Sequence, residues 1–235
     1  MIRLAVGDAP GWAVVALVLA GTLLGWRTGR TLASGGYRLD DEAARPQQQP
    51  AWWPAAALGL LWGFLAWRIG DLAGWAALPA YLCFAWLAVC LAWIDLDVHR
   101  LPDGLVLPGY PALVALLAVP TVTAGAWGRG VAAVACMAGL FAVFYAMAWV
   151  SPDAMGFGDV KLSGLIGLVM GWLSPWVAVT AVLAAFVVGG IVAVLLVVLR
   201  RVGLRGHIAY GPALLVGSFV ALALDFQMLT GAASG

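Results

Sequence analysis

Long apolar runs alternate with short polar breaks along the chain, and the length of each run decides what it can be. Runs at about 9–26, 51–67, 74–94, 104–126, 130–150, 162–173, 175–199 and 209–229 carry few charges. A helix needs roughly 20 mostly apolar residues to cross the hydrocarbon core of a bilayer, and backbone polar groups in lipid must be satisfied within the segment. The pattern predicts an all-α, polytopic transmembrane helical bundle of about eight spans. The sixth run is short, and the break at Ser174-Pro175 reads equally well as a kink. The first run has no basic leading region and no AxA-like site and is followed by Arg27 and Arg30, so it is expected to be a span and not a cleaved signal.

Sidedness follows from the cations in the connections. With the N-terminus outside, the inner segments hold Arg27, Arg30, Arg38, Arg45, Arg100, Lys161, Arg200, Arg201 and Arg205, and the outer ones Arg3, Arg68 and Arg129. That excess predicts an N-out, C-out arrangement. The one sizeable polar connection, 27–50, is too short for a domain, and no internal repeat or linker is present. The expectation is a single membrane domain over 1–235, its core at about 51–229, with 27–50 as a short cytoplasmic loop.

Composition agrees and excludes several partners. Of 235 residues, 64% are hydrophobic and 10% charged, against roughly 25% charged in soluble domains. A formal charge of +1 leaves no basic face to neutralise phosphates, which argues against a nucleic-acid partner. One lysine among twelve cations, with abundant Ala and Gly, suggests a GC-rich bacterial genome. Cys83, Cys90 and Cys136 lie in apolar runs with no CxxC pair and read as packing residues. With His99 and His207 the only histidines, no metal site is expected.

The placement of the acids narrows the chemistry. Asp8, Asp40, Asp41, Glu42, Asp71 and Asp225 fall in loops or near ends and read as solvated charges; the other five cluster in two inner connections, "WIDLDVHRLPDG" and "SPDAMGFGDVK". A carboxylate at the edge of the apolar core is costly, and such residues are usually paired and functional. Asp95 ends the third span, where the helix terminus carries partial negative charge, whereas Asp159 opens the sixth, where the dipole favours an anion. Two aspartates with opposite end effects, brought together by helix packing, can hold one carboxyl protonated and one ionised. Such a pair activates water and protonates a leaving amine, which points to an aspartic peptidase.

The neighbours carry smaller expectations. Gly156 and Gly158 flank Phe157 just before Asp159; they would let the backbone adopt unusual conformations and a substrate strand approach. Asp103, after Leu101-Pro102, reads as the N-cap of the fourth span. Asp97 reads as a supporting acid or a solvated one, His99 and Arg100 as interfacial anchors, and Lys161 as a partner for a carboxylate or for lipid phosphate. No GxSxG or HExxH occurs.

"IDLDVHRLPD", Ile94 to Asp103, and "MGFGDVKL", Met155 to Leu162, resemble the two signature motifs of the type IV prepilin peptidases, bacterial GxGD aspartic proteases. The resemblance implies that Asp95 and Asp159 are the catalytic pair, that water is the nucleophile and that no cofactor is needed. "IAYGP", Ile208 to Pro212, is similar to the family's IPFGP element, with Ala209 for Pro and Tyr210 for Phe; Tyr210, Gly211 and Pro212 are therefore supporting candidates. "GTLLGWRTGR", Gly21 to Arg30, is faintly like the family's GSFLNVVxxR stretch, and Gly25 stands where Asn is expected. Larger members carry a cytoplasmic insertion with two CxxC pairs, linked to methylation of the new N-terminus. Its place is taken here by the cysteine-free 27–50 loop, which argues against methyltransferase activity and any need for S-adenosylmethionine.

The implied substrates are pilin, pseudopilin or Tad-type precursors, cut after a short basic leader at the cytoplasmic face of the inner membrane, with the precursor's apolar helix docking in the bilayer. Three rivals stay open at this level. One is a presenilin-type or signal-peptide-peptidase-type GxGD protease, since "PAL" occurs at Pro212-Ala213-Leu214, although Ile94-Asp95 replaces that branch's Tyr-Asp. Another is a proton- or cation-coupled transporter, whose acids would sit nearer the midplane. The third is an inactive assembly scaffold.

Overall fold

The computed structural model describes residues 10–42, 49–150, 156–199 and 210–224, without the side chains of 70–72 and 196–197. Among the described residues eight helices run α1 (Gly11–Ala33), α2 (Trp53–Ala73), α3 (Leu78–Val98), α4 (Asp103–Thr123), α5 (Trp127–Val150), α6 (Phe157–Leu173), α7 (Pro175–Val198) and α8 (Gly211–Ala223). Among the described residues there is no strand. Five of the helices, α1, α3, α4, α5 and α7, are long and apolar enough to cross a membrane, and the protein is a multi-pass helical membrane protein. The chain divides into two compact units, Met1–Ala126 and Trp127–Gly235.

In the first unit the core is α3. A helix that is apolar all round is one that others surround, and 14 of its 21 residues are buried. The Trp62 indole of α2 donates to the Leu82 carbonyl at 3.1 Å, and the Trp86 indole of α3 donates to the Thr28 hydroxyl of α1 at 3.1 Å. Helix α1 reaches α2 through Gly21, Gly25 and Gly29, one stripe of every fourth residue. In lipid, where apolar surface alone gives little driving force between helices, such small-residue stripes let backbones approach. A Cβ on Gly21 would come within 2.8 Å of the Leu58 carbonyl oxygen, and one on Gly25 would overlap Pro54 and Ala55.

The second unit is organised in the same way around α6, with 12 of its 17 residues buried. Ser163 keeps its hydroxyl satisfied inside this core by donating to the Val160 carbonyl at 2.8 Å. Gly167 and Gly171 meet Cys136 of α5, and Gly217 of α8 meets the backbone of Ala181 and Ala185 in α7. We expect Gly217→Val to force α8 off α7 and cost about 1–3 kcal/mol, read as a lower unfolding temperature in detergent. Trp127 and Trp149 near the two ends of α5, and Trp176 at the start of α7, are exposed, as expected of rings seated at membrane interfaces.

Several sequence expectations are corrected. Helix α1 does not stop at Trp26 but continues through Arg27 and Arg30 to Ala33, because Gly29 packs on Ala51 and Pro54 and keeps the last two turns against α2. The polar connection is therefore 34–52, shorter than 27–50. Arg68 is not in an outer loop but inside α2 and buried, and Arg129 lies in the first turn of α5 with its guanidinium 5.2 Å above the Trp172 ring. Ser174 is extended, φ −168° and ψ 146°, so α6 and α7 are separated by a true break, as the residue before a proline favours. Asp8, Arg45, Asp153, Met155, Arg200, Arg201, Arg205, His207, Ile208, Ala209 and Asp225 lie outside the described residues.

Candidate functional site

The last turns of α3 hold Trp93, Asp95 and Asp97. On a helix, residues two apart point to nearly opposite sides while i, i+4 and i+7 share one face, so Asp95 and Asp97 cannot do the same job. Asp95 turns into the core and is 5% exposed. Its carbonyl accepts the His99 N–H at 3.0 Å, and His99 ends the helix in the left-handed region at φ 57°. Among the described residues it is the only non-glycine with positive φ.

Asp97 faces the 34–52 connection. Arg38 forks onto it, Nε to Oδ2 at 2.7 Å and Nη2 to Oδ1 at 2.8 Å, and the Tyr37 hydroxyl donates to Oδ2 at 2.6 Å. The Arg38 and Asp97 side chains are only 8% and 4% exposed, which rules out the solvated alternative for Asp97. Arg100 makes a second fork, onto Glu42 at 3.0 and 2.9 Å, and also donates to the Tyr37 carbonyl at 2.8 Å. Glu42 is thus buried, a correction to its reading as a surface charge, and Arg100 is an ion-pair partner as well as a terminal cation. Burial, then the hydrogen bond to Asp97, pushes the Tyr37 phenol above its ordinary range, so it stays a protonated donor; the Asp97 carboxylate likewise raises the Arg38 guanidinium.

Asp103 is also corrected: Pro102 occupies the N-cap, and Asp103 is the first residue of α4, exposed and without a side-chain capping bond. An acid in the first turn still complements the helix dipole.

In the second unit, Gly156 is the N-cap of α6, and Asp159 lies in the first turn with its N–H donating to the Gly156 carbonyl at 3.0 Å. The carboxyl folds back so that a Cβ built on Gly156 would stand 3.8 Å from Oδ2. Gly156 itself has φ −71° and ψ 146°, and Gly158 is already helical without a positive φ. The expectation of unusual backbone at these glycines is not met: both conformations are open to any residue. The Lys161 ammonium sits 4.9 Å from the Phe157 ring centroid, one helical turn apart, and Tyr145 of α5 meets that ring edge-on at 6.3 Å. Tyr210, the N-cap of α8 before Gly211 and Pro212, packs on Phe186 at 5.7 Å. Its hydroxyl is buried, with no hydrogen-bond partner among the described residues, and lies close enough to Asp159 to feel its charge.

The partners of Asp97 and Arg100 escaped sequence reasoning. Tyr37, Arg38 and Glu42 lie 58 to 60 positions away from their partners. The one available signal is Trp93 and Asp97 at i and i+4 followed by Arg100, polar groups where a span end should be apolar.

The multi-pass helical bundle thus carries an aspartate near one end of the most buried helix of each unit. Residues 81–194, which include both Asp95 and Asp159, match the model of the type IV leader peptidase family, a family of proteases. The chain is 31% identical over 170 residues to the prepilin leader peptidase/N-methyltransferase of Stutzerimonas stutzeri, covering 71% of this chain and 55% of that protein. Against the protein of the same name from Pseudomonas aeruginosa it is 32% identical over 197 residues, or 81% of this chain and 63% of the relative. Against that of Aeromonas hydrophila the figures are 31% over 154 residues, 63% and 50%. The chain thus spans about half to under two thirds of the length of these relatives. No solved structure matches it.

Proposed function

We propose that this protein is a membrane aspartic endopeptidase that removes the leader peptide from type IV prepilin-like precursors. The observation that carries the reading is the family match, whose 81–194 segment includes both motif aspartates. Asp95 and Asp159 act as a pair, one ionised to take a proton from the attacking water, one protonated to give a proton to the leaving amine. Water is the nucleophile and no covalent intermediate forms. Support comes from the placement of each aspartate on the most buried helix of its unit, because a rigid, packed element fixes a reacting group better than a loop. Gly156, Gly158, Lys161, Tyr210, Gly211 and Pro212 line the substrate side of Asp159, while Asp97 and Asp103 support the α3 and α4 ends.

The 1–235 chain works as one membrane domain, N-out and C-out, with both motifs at the cytoplasmic face of a bacterial inner membrane. The excess of arginine in the segments on that side supports this orientation. The relatives' name joins peptidase and N-methyltransferase activities; for this chain we propose only the first, since its α1–α2 connection has no cysteine.

The test is to incubate the purified protein with pilin and pseudopilin precursors from the same genome, with and without S-adenosylmethionine, and to weigh both products. A released leader and an unmethylated mature chain is the expected result. Failure to cut any of the precursors would overturn the peptidase reading, and a methylated product would overturn its restriction to cleavage.

A further inference from the structure

The end of α3 is held from outside along a single face. Trp93 and Asp97 stand at i and i+4 on α3 and Arg100 lies just beyond the helix end, and each is tied to the segment that follows α1. The Trp93 indole donates to the Tyr37 hydroxyl at 3.0 Å, and the Trp93 carbonyl accepts from Gln49 at 3.1 Å. Asp97 takes the Arg38 fork and the Tyr37 hydroxyl, and Arg100 grips Glu42 and the Tyr37 carbonyl. Beneath these bonds Tyr37 and Trp53 pack on the cluster of Leu32, Cys90, Trp93, Ile94 and Val98, with the Trp53 and Trp93 rings stacked at 5.6 Å.

Helix ends fray because their last carbonyls have no partner within the helix, yet Asp95 sits in this last turn. A bidentate guanidinium–carboxylate pair fixes orientation as well as distance; one on Asp97 in the last turn of α3 and a second on Arg100 just past the helix end hold that end against rotation. Asp95, on the opposite side of the same turn, is set by that rotation. We propose that residues 37–42 form a clasp that positions Asp95 for catalysis, with Arg38 and Tyr37 as positioning residues that never touch substrate. The inference rests on the peptidase reading and adds to it a role for the connection between α1 and α2.

The test uses the full chain in lipid nanodiscs with a precursor that it cleaves. Arg38→Ala is expected to lower kcat about tenfold to a hundredfold, the range a roughly 1 Å misplacement of a reacting group produces, while KM stays within about twofold. Tyr37→Phe keeps the ring in the cluster and removes only the hydroxyl, with an expected loss in kcat of about three- to tenfold. Hydrogen exchange at 93–102 should rise in both variants while α5 and α6 keep their protection. In a double-mutant cycle, Arg38→Ala and Asp97→Ala together should cost less than the product of their separate losses.

If Arg38→Ala does not fold, Tyr37→Phe decides. Parental kcat in a folded Tyr37→Phe or Arg38→Ala variant overturns the clasp, as does a change confined to KM. Asp95→Asn run alongside separates the two ideas: parental cleavage by that variant ends the catalytic assignment of Asp95, whereas the exchange data report on the clasp whatever the activity.

Discussion

Asp95→Asn and Asp159→Asn are each expected to reduce cleavage of a pilin precursor by about a thousandfold or more, since each removes one of the two proton-transfer roles proposed for the pair. Asparagine keeps the volume of the side chain but neither gives nor takes the proton. Groups that act as a unit are strongly non-additive, so the double variant should lose scarcely more than either single one. Asp103→Asn serves as the contrast: the residue is exposed in the first turn of α4, and its loss should cost only about 0.3–1 kcal/mol of helix-end electrostatics, leaving cleavage near the parental rate. Initial rates with equal amounts of monodisperse protein make the comparison. If either catalytic variant stays within tenfold of the parent, the two-aspartate mechanism fails. If Asp103→Asn falls as far as the others, the division between catalytic and supporting acids is misplaced.

The second large effect is structural. Gly167 lies midway along α6, and a Cβ there would stand 2.5 Å from the Cys136 carbonyl oxygen and 2.9 Å from the Met137 Cα. Both are backbone atoms of α5, which cannot swing aside as a side chain could. Overpacking of this kind costs about 3 kcal/mol or more, a large share of the stability of an ordinary domain. Gly167→Val should therefore lower the unfolding temperature sharply and reduce the folded yield. Gly139, on α5, is exposed and has nothing within 4 Å of an added Cβ, so Gly139→Ala should be neutral or slightly stabilising by helix propensity. Unfolding of both variants in one detergent checks the pair, and an unchanged temperature for Gly167→Val would show that α5 and α6 do not pack through this glycine.

How much of this was legible from residues alone differs by the range of the interaction. Helix positions were, because the length of an apolar run is a local property, and so was the placement of Asp95 at a helix end and Asp159 at a helix start. The continuation of α1 past Arg27 was not, because charges usually mark a span's end; what overrides them is the contact of Gly29 with α2. The stripe Gly21, Gly25, Gly29 was open to view as an i, i+4, i+8 repeat, yet its meaning depends on a partner helix. The Arg38–Asp97 and Arg100–Glu42 pairs were beyond reach, since nothing local tells which cation a buried acid will find nearly sixty residues away. Pro102 taking the N-cap in place of Asp103 shows the usual shift of one residue at a boundary.

The exposed tryptophans near the two ends of α5 make that helix a ruler. At about 1.5 Å per residue, Trp127 and Trp149 stand about 33 Å apart along the axis, close to the hydrocarbon thickness of an ordinary bilayer of roughly 30 Å. In a host membrane of shorter acyl chains, α5 has to lean or the bilayer has to thicken around it. Because α6 is locked to α5 through Gly167 and Gly171, a lean of one carries the other with it. Hydrophobic mismatch thereby becomes a means of tilting the helix that bears Asp159, and lipid chain length a variable to which the proposed peptidase activity should respond.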